Sequence, residues 1–363
     1  MVDTAERSSH HSADIDMSGT AKQHIYGFSY IRSLACIAII ILHTVYSAVL
    51  LFGSDIDAQT NITSMAVVDS MMWAVPCFIM VTGALLLETE RKITYKKLFG
   101  KYILRIFAAL VIFGMVFRVF DIIMDKEPVN VAAFLKGLYE IFTGTSWSHI
   151  WYLYLLIGLY LLLPFYKKVV DNSSAKEIKY LLAVYIIFLS ILPMLEIWGI
   201  NCGFYIHVST IYPFYLFGGY AIYKHIYCPG KAASLVMFII ATLLIIGCTV
   251  VRWIYDIPSM EILWGYASLF VIMQAVGFFA LLKDVKHTGF RAVKWLLLKL
   301  DECSFGVYLI HMIFVRLILR YIGFNPYENG GILAFVAVIA GILVISYAIT
   351  WILKRIPFLK KIV

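Results

Sequence analysis

Two ionisable residues stand inside the first long apolar run of the chain, Arg32 and His43 in YIRSLACIAIIILHTVYS. Side chains of this kind are costly in hydrocarbon and mark functional sites by default. They are eleven residues apart. At 100° per residue they come within roughly 20° of full register on one helix face, roughly 16 Å apart along the axis. A guanidinium at one end of such a stripe can hold an anion, and a neutral imidazole at the other can take a proton from a hydroxyl. The plainer alternative is a histidine that bonds across helices for packing. Cys36 shares the face, but its apolar setting suits packing better than a thiolate.

Other polar residues near the apolar runs compete for supporting roles. Asp69 lies at a depth comparable to His43, where a carboxylate could orient the imidazole. His149 and Trp151, with Trp147, fall at an expected interface, where they could anchor the chain or stack on a sugar. His311 could bind an acceptor or pack; Arg316, five residues on, is about 140° away and does not share its face. Glu302 suits a helix N-terminus. Lys101 and Arg105 are the deepest members of a basic segment, Lys96 to Arg105, that could neutralise phosphates. Six cysteines occur without a CxxC pair, so neither a metal site nor a disulfide framework is expected.

The elements that must position these residues are membrane spans. The 363 residues are 62% hydrophobic and 14% charged, against roughly 25% charged in soluble domains, and mean hydropathy is +0.87. Charge falls in short segments between apolar runs long enough to cross roughly 30 Å of hydrocarbon. The expectation is an all-α polytopic bundle of about ten transmembrane helices, over 28–50, 65–87, 102–124, 149–166, 180–198, 207–224, 232–252, 262–282, 302–321 and 331–352. Segments 88–101, 167–179, 283–299 and 354–361 are rich in Lys and Arg; loops 51–64, 199–206, 254–261 and 322–330 carry none, and only Lys126 and Lys136, in the longest outer loop, break the pattern. That alternation predicts both termini in the cytoplasm. The net charge of +8 is thus a topology signal, and a nucleic-acid partner is not expected. In the longest outer loop, VAAFLKGLYEIF has amphipathic helical spacing. Residues 1–24 are expected to be a disordered polar cytoplasmic tail without a cleavable signal peptide, residues 25–355 the membrane domain, and 356–363 a short basic tail. No internal repeat supports a standard transporter.

The Arg-x10-His pair resembles the opening signature of the acyltransferase-3 family of integral membrane acyltransferases. Three more blocks agree in order: VPCFIMVTGALLL (75–87), HIWYLYLLIGLYLLLP (149–164) and SFGVYLIH (304–311). Thr82 stands where the family often has Ser, which keeps a hydroxyl. The chain resembles the stand-alone type, without an SGNH hydrolase-like domain.

The resemblance implies an acetyl-CoA-dependent O-acetyltransferase of the bacterial inner (cytoplasmic) membrane, acting on a cell-envelope glycan or lipid-linked sugar. It makes His43 the leading catalytic residue and Arg32 its partner, with Arg32, Lys101 and Arg105 facing coenzyme A and no metal involved. Asp69 would support His43, while Trp151, His149 and His311 would face the acceptor. An exporter or flippase of a glycan or lipid-linked sugar, without acyl chemistry, is the alternative.

Overall fold

The computed structural model describes residues 25–200, 202–203, 209–286 and 290–363. The tail expected over 1–24 lies outside the described residues. Everything regular among them is helical, with no strand. Among the described residues nine helices are long and apolar enough to cross a membrane: α1 (Tyr26–Phe52), α2 (Ala58–Leu86), α3 (Tyr95–Met124), α5 (Ser148–Asn172), α6 (Ala175–Trp198), α8 (Lys231–Tyr255), α9 (Pro258–Leu282), α10 (Arg291–Tyr321) and α11 (Ile332–Leu353). The chain is a multi-pass membrane protein. Two shorter helices complete the set, α4 (Val131–Thr143) and α7 (Tyr212–Tyr223).

The expected span 207–224 therefore appears as the 12-residue α7, with residues 207 and 208 outside the description. At 1.5 Å per residue it is short for a full crossing. It is nonetheless deeply buried, from Pro213 to Ile222. Glycine lets it approach α2 backbone to backbone: a Cβ on Gly83 would stand 1.9 Å from the Leu216 carbonyl oxygen, and one on Gly219 2.0 Å from that of Met80. Lipid offers no hydrophobic drive between helices, so close packing across small residues has to hold them.

Local chemistry explains most other departures from plain spans. Helix α2 starts earlier than expected because Asp57 caps it, accepting from the Thr60 N–H at 2.9 Å. The α-helix then breaks at Met71–Trp73, between Ala58–Ser70 and Ala74–Leu86. Gln274 on α9 donates to the Ser70 carbonyl there at 3.1 Å, which satisfies a group that hydrocarbon could not. Helix α4 is the amphipathic segment expected in the long loop. Asn130 caps it, and Gly144 ends it with φ of 74°. Its buried face of Ala133, Gly137 and Ile141 lies on α3 at Gly114 and Arg118.

The basic segments meet at one end of the bundle. Lys224 pairs with Glu88, Lys167 donates to the Thr89 carbonyl at 3.2 Å, Lys354 donates to that of Glu302, and Arg105 to that of Ile362 at 3.0 Å. Lys294 lies over the Tyr26 ring, so both ends of the described chain sit there. The Lys-free loops meet at the other end, where Tyr327 donates to Ser64 and Arg252 pairs with Glu261.

Candidate active site

Helices α1 and α10 run side by side in the same direction, and their matched residues build the site. Arg32 pairs bidentately with Asp301, Nε to Oδ1 at 2.6 Å and Nη2 to Oδ2 at 2.8 Å. Ser33 donates to the Leu297 carbonyl at 2.5 Å, and the Cys36 thiol lies 3.8 Å from that of Ser304. At the far end of the stripe His43 Nδ1 meets His311 Nε2 at 2.7 Å. The eleven-residue spacing on α1 is thus answered by a ten-residue spacing on α10.

The hydrogen bonds fix the imidazole tautomers. His311 Nδ1 lies 2.6 Å from the Tyr308 carbonyl, which can only accept. That nitrogen therefore carries the proton, and His311 Nε2 is the acceptor of a neutral ring. His43 Nδ1 must then be the donor in the 2.7 Å contact, which leaves His43 Nε2 with a free lone pair. His311 is fully buried and His43 partly so.

His149 stands third in this cluster, its ring 6.3 Å from that of His43 and 5.6 Å from that of His311. It is 3% exposed, and neither ring nitrogen has a hydrogen-bond partner among the described residues. The Leu309 backbone approaches it outside hydrogen-bond geometry. The sequence reading set His149 at an interface; Phe117 and Trp147 instead cover it, with ring centres at 5.0 and 6.0 Å. Trp147 is itself held by Asp121, at 2.7 Å, and lies under Arg316. Among the described residues no group of three potential ligands converges as a metal site.

A cavity of about 320 Å³ opens between Arg32 and this cluster. Arg32, Arg91 and Arg105 line its basic end with Tyr102 and Tyr160. Ile39, Phe78, Tyr152 and Tyr308 close the other, one helical turn short of His43 and His311. Thr82 lines the wall, its hydroxyl donating back to the Phe78 carbonyl at 2.9 Å. Arg91 is aimed by the Leu85 carbonyl and the Tyr102 hydroxyl, each at 2.9 Å.

Several expectations need correction. Asp69 does not orient His43: its carboxylate accepts from Thr249 on α8 at 2.9 Å, and the His43 ring is held by His311 instead. Lys101 is exposed and lines neither cavity, whereas Arg105 lines the one that holds Arg32. Trp151 packs on Tyr212 and Tyr266, with ring centres at 5.9 and 5.5 Å. Asp301 and Arg91 went unrecognised in the sequence. The first was legible, since it stands as far from His311 as a partner of Arg32 should. The second was hidden among topology-setting cations.

In comparisons with known proteins, residues 25–351 match the family model described as an acyltransferase domain. No curated protein and no solved structure matches the chain.

Proposed function

The chain belongs to the acyltransferase-3 family and is a membrane acyltransferase, and from that premise we propose that it moves acetyl from acetyl-CoA to a hydroxyl of a cell-envelope sugar or lipid-linked sugar, with His43 as general base. The observation that carries this reading is the relay from the Tyr308 carbonyl through His311 to His43, which leaves His43 Nε2 free to accept a proton.

The donor fits the cavity by charge and shape. Arg91 and Arg105 suit the phosphates of coenzyme A, because guanidinium forks match phosphate oxygens. Arg32 stands beside them with its charge shared by Asp301. The narrow apolar interior suits the pantetheine arm. The layer of Phe78, Tyr152 and Tyr308 has to part for the thioester to reach His43.

The acceptor hydroxyl then gives its proton to His43 Nε2 as its oxygen attacks the thioester carbon. His311 Nε2, accepting from His43 Nδ1–H, stabilises the imidazolium so formed. When the C–S bond breaks, the thiolate takes the proton back from His43 Nε2, and the base is restored. His149, with no partner for either nitrogen among the described residues, is available to hold the acceptor hydroxyl or the oxyanion. The basic end faces the cytoplasm of a bacterial inner membrane, where acetyl-CoA is made, and the acceptor enters from the other side.

The test is mass spectrometry of acetyl esters on envelope glycans from cells expressing wild type or His43→Ala at equal membrane levels. Ester formed only by wild type supports the reading. Equal ester from both removes His43 from the mechanism, and ester from neither removes the acetyl-glycan assignment.

A further inference from the structure

A second cavity, of about 330 Å³, lies at the end of the bundle away from the basic segments, among α1, α2, α8 and α9. It shares no lining residue with the first. Its chemistry is different: Tyr46, Trp253 and Trp264 supply rings, and Asp69 and Glu261 supply carboxylates. We propose that it binds an ammonium or quaternary ammonium group.

Asp69 is the reason. It is 3% exposed, and Thr249 is its one side-chain partner among the described residues. It sits in the last turn of the Ala58–Ser70 segment, the negative end of a helix, where a carboxylate is disfavoured. A buried carboxylate normally has a cation beside it. Here the nearby guanidinium is taken: Arg252 bonds Glu261 through Nη2 at 2.7 Å and Nε at 3.2 Å, and lies 4.4 Å from the centre of the Trp253 ring. The rim charges therefore satisfy each other, and no described cation pairs with Asp69. A carboxylate without a cation of its own, in a cavity where the Tyr46 and Trp264 rings stand beside a Trp253 already covered by Arg252, is the arrangement that holds alkylammonium ligands, through cation–π attraction and a charge-assisted hydrogen bond. A neutral sugar would stack on the rings but would bring no cation to Asp69.

Two sources carry this chemistry, the amine of a phospholipid headgroup and the amine of an amino sugar. The site stands independently of the acyl-transfer reading, since His43 and the arginine cavity take no part in it.

The test uses the purified full chain in nanodiscs of phosphatidylglycerol, which has no amine. Ethanolamine, tetramethylammonium and glucosamine are titrated by calorimetry against the neutral analogues 3,3-dimethylbutanol and glucose. The expected result is saturable binding of the ammonium probes alone, weakened at least tenfold in Asp69→Asn and in Trp264→Leu, and unchanged in His43→Ala. Asn keeps an acceptor for Thr249, and the partly exposed Trp264 gives a second variant should the first fail to fold. Competition by phosphatidylethanolamine discs assigns the lipid source; glucosamine binding tighter than ethanolamine in both discs assigns the sugar. Equal affinity for the neutral analogues, full affinity in Asp69→Asn, or no binding of any ammonium probe overturns the proposal.

Discussion

Whether His43 Nε2 can accept a proton depends on the tautomer of the ring, and that tautomer is set by a residue on another helix. His311 is satisfied by the Tyr308 carbonyl on one side and His43 on the other. Replacing it with Ala should leave the protein folded and acetyl-CoA bound but lower turnover by about a hundredfold, since outer partners of a working histidine are typically worth 10–100-fold or more; steady-state transfer assays read this directly. At the mouth, Arg91→Ala and Arg105→Ala should each raise KM for acetyl-CoA about tenfold, the loss of one charge-assisted bond, with kcat nearly unchanged. Much at this scale was legible beforehand. Arg32 and His43 stood out because ionisable groups are rare in apolar runs. Asp69 met the same criterion and was misassigned, because depth along the membrane says nothing about which way a helix turns its face. His149 was misplaced for a related reason, since interfacial sequence position does not reveal the Phe117 and Trp147 rings that bury it.

Elements hold the site through contacts that leave no room for variation. The α2–α7 crossing needs glycine, since a Cβ at residue 83 would meet backbone oxygen at 1.9 Å, which no rotamer change relieves. Gly83→Val should cost about 3 kcal/mol or more by overpacking, visible as loss of folded protein in detergent thermal melts. Helix α4 is tied down differently. Arg118, 5% exposed, donates to the Ala133 carbonyl at 3.1 Å and to both oxygens of Glu127. The hydrogen bond and charge of Arg118 hold the Glu127 carboxyl below its ordinary 4.5. A depressed carboxyl stabilises the fold above its unfolded value and loses that contribution as pH falls through the folded one. Protection factors across 131–143, taken against intrinsic exchange at each pH, should therefore fall below pH 4.5, and Arg118→Ala should abolish that dependence while lowering protection at neutral pH. Apolar length and amphipathic spacing announced these helices. The break at Met71–Trp73 was not announced, because it depends on Gln274, some two hundred residues away, to satisfy the freed carbonyl.

At the scale of the whole molecule the charge alternation in the loops translated into two chemically distinct ends, and only the shortness of α7 departed from a simple count of spans. The arginine cavity lies toward the basic end and stops one turn below His43, the arrangement that the proposed transfer needs. Its sidedness is open to direct labelling. In right-side-out cells, with the native cysteines replaced by serine, Ser54→Cys should react with an impermeant maleimide and Lys96→Cys should not, and inverted vesicles should reverse the pattern. The central claim is that His43 performs the transfer rather than the binding. Single-turnover acetyl transfer by protein reconstituted with acetyl-CoA and envelope glycan tests it most directly, with acetyl-CoA affinity measured alongside. His43→Ala should transfer at least a hundredfold more slowly, as general-base loss requires, while binding acetyl-CoA within a few-fold of wild type. Transfer at the wild-type rate, or a loss traced wholly to weaker binding of acetyl-CoA, would contradict the account.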